Sequence, residues 1–249
     1  MWEALSGVKG VRFQSEVSNR VGRDGLLRSW REDLASGNVP RHDRPGCAAE
    51  QPGRPATNEL GFPQHGRYLL DLDEVKAAFV EAEIFQSSTT RRDCWQGLLN
   101  YLQMWRSFED RLGQTVGDEG LIISLWLGGS FISTVKLDPR NVDLVVFIDG
   151  GALTRADEQG IRHKTQISKL TSRGHLERLL RVTPTVVPYY YPGTPWQRDP
   201  YGGDQQQYLV MRGCLDDWWT RTRPEGEARG APTPESGKWV RGYVEVRLT

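Results

Sequence analysis

Two short apolar runs, LIISLWL (121–127) and VDLVVFI (142–148), bracket a Gly128-Gly129-Ser130 turn and a polar crossing segment. This arrangement constrains the fold more than any other feature of the chain. Both runs are rich in β-branched and aromatic residues and short enough to be strands, and their near-continuous apolarity marks strands buried in a sheet. Side chains alternate along a strand, so Asn141, Asp143, Val145, Phe147 and Asp149 share one face. Val142, Leu144, Val146 and Ile148 point the other way, into a packed layer. A sheet is therefore expected in which Asn141 and Asp143 project together toward the glycine turn.

The flanking sequence supplies helices to cover such a sheet. In TTRRDCWQGLLNYLQMWRSFEDRL (89–112), Trp95, Leu98, Leu99, Leu102, Trp105 and Leu112 recur at intervals of three and four, the period of an amphipathic helix whose tryptophans are core. LDLDEVKAAFVEA (70–82) reads as a short helix with acids in its first turn, where they favour the positive end of the dipole. The segments 156–170, 172–182 and 205–219 also read as helical. TPTVVPYYY (183–191) is β-prone, but Pro184 and Pro188 restrict it to an edge or a bulged strand. KWVRGYVEVRL (238–248) reads as a final strand. Helices and strands alternate without a regular βαβ repeat, so the expected class is α/β in the α+β sense: a mixed sheet flanked by helices.

The turn and the second strand suggest a chemistry. Glycine lets a backbone approach phosphate closely, successive N–H groups can form an anion nest, and the Ser130 hydroxyl adds a donor. A helix starting at Phe131 would add a favourable field. Magnesium is held by one or two carboxylates together with waters and phosphate oxygens. Asp143 can serve as such a ligand, and Asn141 offers a neutral carbonyl oxygen.

The stretch LWLGGSFISTVKLDPRNVDLVVFID (125–149) resembles the active-site signature of the DNA polymerase β-type nucleotidyltransferase superfamily: Gly-Ser, a gap of about ten residues, then Asp-x-Asp on a strand. The region from Gly61 to Leu248 is similar to bacterial nucleotidyltransferase-like proteins with a W-x-G-G-S-F segment, matched here by Trp126 to Phe131. The resemblance implies nucleotide-binding by Gly128, Gly129 and Ser130. It also implies a centre built on Asp143, Asn141 and Ser130, with Mg²⁺ or Mn²⁺ as cofactor. Asn141 stands where the family has its first acid, and the family's third carboxylate, on a later strand, has no equivalent in 182–191, which carries Thr183 and Thr185. Glu245 is the one acid in a later β-like run and is the expected third metal ligand. Asp138 is expected to be a turn residue, while Arg91, Arg92, Lys136 and Arg140 could neutralise phosphate.

Two functions follow from the resemblance. In one, the protein transfers a nucleoside monophosphate from a nucleoside triphosphate to a protein, RNA or small-molecule acceptor through a degenerate metal site. In the other, the fold has lost catalysis and serves as a nucleotide-binding or protein-interaction module of a regulatory or antitoxin-like kind. A third reading makes GGSF a tight turn and Asp143 a surface acid.

Composition narrows the partners. Lys+Arg and Asp+Glu each number 32, so no net field draws the chain to nucleic acid or anionic lipid. The aromatic stretch 189–203 is nearly uncharged and is expected to cover a sheet edge rather than form a base-stacking platform. No apolar run approaches a membrane span, and a cytoplasmic location is expected. Three widely spaced cysteines without a CxxC pair are read as free thiols. Residues 1–60, rich in Pro, Gly and charge, are expected to be a loosely held extension without a fold of its own, in which Leu26, Leu27, Trp30 and Leu34 fall at the spacing of a short docking helix, with the nucleotidyltransferase-like domain over 61–249.

Overall fold

A computed structural model describes residues 54–117, 120–194, 196, 201–222 and 237–248. The expectations for residues 1–53, including the helical spacing of Leu26 to Leu34, fall outside the described residues.

The sheet forms where the apolar runs predicted it and gathers three further strands. Its strands are β1 (Arg67–Leu70), β2 (Ile122–Gly128), β3 (Val142–Asp149), β4 (Val182–Tyr189) and β7 (Tyr243–Val246). They lie in the order β1-β7-β2-β3-β4, with β1·β7 and β3·β4 parallel and β7·β2 and β2·β3 antiparallel. Among the described residues six α-helices accompany them: α1 (Leu72–Lys76), α2 (Arg91–Leu112), α3 (Gly150–Glu158), α4 (Lys164–Thr171), α5 (Arg173–Leu180) and α6 (Gly203–Thr220). A two-stranded ribbon, β5 (Arg221–Thr222) with β6 (Lys238–Trp239), follows α6. The fold is mixed α/β. Among the described residues no helix is long and apolar enough to cross a membrane.

Both faces of the sheet are covered, by different means. On one face Val142, Leu144, Val146 and Ile148 join Leu125, Leu127, Val244 and the apolar stripe of α2 in the main core, where Leu98, Tyr101 and Trp105 are fully buried. Trp95, Leu102 and Leu112 belong to the same stripe, as their spacing predicted. On the opposite face Trp126, Val145, Phe147 and Tyr243 lie under α6, packed on Tyr208 and Trp219. Trp126 is the hinge of this layer, with ring centroids 4.7 Å from Phe147 and 4.6 Å from Tyr243. Burial on both faces explains why β2 and β3 read as apolar runs rather than as clean alternation.

Local signals set several boundaries. Asp71 caps α1 through a reciprocal box: its carboxylate accepts from Glu74 N at 2.7 Å, and the Glu74 carboxylate accepts from Asp71 N at 2.8 Å. β4 is an edge strand, which accommodates the missing N–H groups of Pro184 and Pro188. Beside it, Tyr189 packs edge-on against Tyr208 and Tyr190 covers Gly150, while Tyr191 and Trp196 stay exposed.

Two expectations need correction, one strand went unforeseen, and one conditional helix does not form. The helix expected over 156–170 is two helices, because the chain turns at Gly160 and restarts α4 after His163. The final strand is split into β6 and β7 by the Val240–Gly242 bend. β1 was not foreseen: four residues, RYLL, carry too little pattern, and only pairing with β7 makes them a strand. No α-helix begins at Phe131: the segment is a single 3-10 turn, Gly129–Ile132, so the favourable field such a helix would add is not there.

A candidate nucleotide cleft beside Asp143

Strand register assembles the site. Asp143 lies opposite Gly128 on β2 and opposite Thr183 on β4, so a carboxylate sits between a glycine and a threonine on one face. Gly129 follows with φ +66°, a left-handed conformation that glycine adopts without strain. A Cβ built on Gly129 would lie 2.1 Å from the Asp143 carboxylate, and one on Gly128 would lie 2.4 Å from the Trp219 ring. The two glycines therefore have separate tasks. Gly128 admits an indole from α6, and Gly129 admits a carboxylate from β3.

Polar contacts hold this carboxylate in place. Thr183 Oγ1 donates to Asp143 Oδ1 at 2.6 Å, and Asn141 Nδ2 donates to Thr183 Oγ1 at 2.9 Å. The amide nitrogen is thus committed to Thr183, leaving the Asn141 carbonyl oxygen as the group with ligand capacity. Asn141 and Asp143 are both half-buried and share a face, as the alternation predicted.

Asp143 and Gly129 line a cleft of about 680 Å³ between the β2–β3–β4 end of the sheet and α6. Thr183 and Thr185 form its floor with Asp143, Trp218 and Trp219 its α6 wall, and Arg173 and Arg241 its cations. Its volume lies in the range of small-molecule sites. Arg173 reaches in from the start of α5 and donates to Thr185 Oγ1 at 2.9 Å. Arg241 Nε donates to the Trp219 carbonyl at 2.8 Å, and its guanidinium lies over the Phe62 ring. Trp218 is half exposed and presents indole surface to solvent.

Several expected residues lie elsewhere. Glu245 is on the same sheet face but on β7, opposite Trp126, with β2 between it and Asp143. Two strand spacings are about 9–10 Å. Its carboxylate is taken by Arg67, with Nε–Oε2 at 3.2 Å. Glu245 thus does not join Asp143, and the expectation of a third ligand there is corrected by strand order. Ser130 is half-buried and is not part of the cleft lining; its carbonyl accepts from Ser133 N at 3.2 Å.

Arg91 is not a phosphate ligand. Its guanidinium is buried and donates to the carbonyls of Phe79, Phe131, Ser133, Lys136 and Leu137. It also stacks 3.5 Å from the Phe85 ring centroid. Burial lowers its pKa to about 10, which leaves it a cation at neutral pH. One buried arginine thereby ties the crossing segment 131–137 to the start of α2. Arg140 is engaged with Glu177 at 2.9 Å. Asp138 is a turn residue: its carboxylate, held below the usual range by the Thr89 N–H and by the hydroxyls of Ser88 and Thr89, caps the approach to α2.

The donor set decides what the cleft can hold. Among the described residues no three His, Cys, Asp or Glu side chains converge on a common point. One carboxylate and the Asn141 carbonyl suit a single magnesium or manganese ion whose other ligands are waters and phosphate oxygens. They do not suit a pair of ions, which needs more negative charge than one aspartate supplies.

Arg173, Arg241, Trp218 and Trp219 were not singled out from sequence as cleft residues. Their positions depend on where α5, α6 and β7 dock on the sheet, and no local pattern reports that.

The model of a family described as a family of unknown function (DUF6932) matches residues 55–246, most of the chain. No curated protein and no solved structure matches.

Proposed function

We propose, for a chain that belongs to the family of unknown function DUF6932, that the Asp143 cleft binds a nucleoside triphosphate with one divalent cation, as a nucleotidyltransferase-like domain with a reduced metal site. The observation that carries this reading is the Asp143 carboxylate set against the Gly129 backbone in a cleft that also holds two arginines and two indoles.

Each group has a task in this reading. Asp143 and the Asn141 carbonyl hold the cation, which when bound offsets phosphate charge and orients the phosphoryl group. Thr183 fixes the Asp143 rotamer through its 2.6 Å bond. Arg173 and Arg241 meet phosphate oxygens, where guanidinium groups form charge-assisted hydrogen bonds. Trp218 offers a face on which a base can stack.

Efficient transfer is not favoured by this donor set. Neutral oxygens at two of three carboxylate positions remove transition-state stabilisation on the order of several kcal/mol. Slow nucleotidyl transfer to a protein, RNA or small-molecule acceptor is the second reading. It is favoured by the Asn141–Thr183–Asp143 chain, which holds the Asp143 carboxylate and the Asn141 amide in a fixed relation.

Calorimetric titration with a panel of nucleoside triphosphates, with and without Mg²⁺ or Mn²⁺, tests the proposal on wild type and Asp143→Ala. The expected result is cation-dependent binding that weakens at least about tenfold in the variant, the loss of one charged ligand. No binding across the panel, or binding indifferent to Asp143, overturns it. Incubation with labelled triphosphates separates the second reading, which requires label to appear covalently on an acceptor.

A further inference from the structure

The sheet face under α6 carries a row of residues, with Arg67 paired to Tyr243 at one end and Gly128, Asp143 and Thr183 in register at the other. Trp219 descends from α6 onto Gly128, in the middle of that row, and meets Tyr243 edge-on with centroids 6.3 Å apart. The helix therefore divides the face. The Asp143 cleft lies on one side, and a second cleft of about 540 Å³ lies on the other, between α6 and the β1–β7 edge.

This second cleft is built around a guanidinium with capacity to spare. Arg212, half-buried on α6, lies 5.1 Å from the Trp126 ring centroid and 5.4 Å from that of Phe147. Among the described residues its one hydrogen-bond acceptor is Tyr208 Oη, at 2.9 Å, and it forms no ion pair with a carboxylate. A guanidinium has five N–H donors in a planar fork that matches an oxyanion. The aromatic platform fixes that fork, and the stacked arginine gives up little freedom on binding. Arg67 adds a second cation on the cleft wall, half exposed and held at its inner side by Glu245. Asp216 stands further along α6 and accepts the Tyr243 hydroxyl. Its charge would repel an anion from that end and favour a hydroxyl or amine there.

We propose that the Arg212 cleft is a second binding site, separate from the Asp143 cleft, for a small polar molecule carrying a terminal oxyanion. The oxyanion sits in the Arg212 fork with support from Arg67, and the donor-bearing end of the molecule faces Asp216. The proposal does not depend on the nucleotide reading, because none of its residues lines the Asp143 cleft.

The test is titration of the full chain, observed by ¹H–¹⁵N NMR, with inorganic phosphate in one arm and succinate in the other. Sodium chloride at matched ionic strength serves as the control. Saturable shifts centred on residues 65–67 and 209–216 are expected with at least one of the two probes. Arg212→Gln and Arg212→Lys should weaken that binding about tenfold or more, since both lose the fork. Arg67→Gln, at an exposed position, should weaken it a few-fold, and Asp143→Ala should leave it unchanged. A response to phosphate alone assigns the site to phosphate esters, and one to succinate alone assigns it to carboxylates. No saturable shift with either probe, or shifts that persist undiminished in both Arg212 variants and in Arg67→Gln, overturns the proposal. Arg212→Lys keeps the charge and the aliphatic stem, so the test survives if Arg212→Gln fails to fold.

Discussion

Thr183 donates its hydroxyl to Asp143 across the parallel β3–β4 pair at 2.6 Å, so the group nearest the cleft's carboxylate is a neutral donor. A donor steadies an ionised carboxylate, whereas an acid at the same place would repel it unless a cation lay between them. Thr183→Asp is therefore expected to lower stability by roughly 1–3 kcal/mol in chelator, through like-charge repulsion, and to recover it in Mn²⁺. Urea unfolding with and without the cation measures both halves. Equal stability under the two conditions would show that residue 183 does not share a cation with Asp143.

Arg91 sits among five carbonyl oxygens and, among the described residues, has no carboxylate partner, so its removal exposes several acceptors at once. Arg91→Met should cost about 3 kcal/mol or more, because buried carbonyls are left without donors. Arg91→Lys should fall between the two, as one ammonium cannot reach all five. Chemical denaturation of the three proteins gives the order directly.

The two described cysteines should behave differently toward alkylating agents. Cys94 is buried on α2, and burial pushes its thiol up to about 11, so the reactive thiolate is scarce at pH 8. Cys214 is exposed at the Asp143 cleft and should label readily in the native state. Peptide mapping after brief treatment at pH 8 should find label on Cys214 and not on Cys94. The folded state holds the Cys94 proton more tightly than the unfolded chain does. The stability this contributes is complete below pH 9 and declines as pH rises toward about 11.

Glu245→Gln probes the residue that sequence nominated as third ligand. Its carboxylate faces Arg67 rather than Asp143, so nucleotide and cation binding should be unaffected. Stability should change by no more than about 1 kcal/mol, as for an ion pair with one exposed partner. A tenfold loss of cation affinity would contradict the strand order that separates the two acids.

What the sequence revealed and what it hid divide along a physical line. Patterns confined to one element were legible: the three-and-four stripe of α2, the alternation of β3 that put Asn141 beside Asp143, and the prolines that kept β4 at an edge. Pairings between distant segments were not. β1 has four residues and no alternation, so only its partner β7 defines it. Arg91 read as a cation for phosphate because nothing in RRDCW reports five carbonyls arriving from two other segments. The cleft arginines Arg173 and Arg241 were hidden for the same reason. The meeting of Asp143 with Gly128 and Gly129 was legible because one short stretch carries all three.

The place of β7 bears on how the chain reaches this state. That strand is inserted between β1 and β2, yet it lies near the C-terminal end of the described chain, while its neighbour β1 lies near the beginning. During synthesis β2, β3 and β4 can assemble early, but β1 has no partner until Tyr243–Val246 has left the ribosome. Until then the open flank of β2 offers unpaired backbone groups to any extended segment within reach, including that of another nascent copy. Completion of the sheet is thus a late, long-range event, and a ribosome stalled before β7 would hold a half-built sheet with a sticky edge.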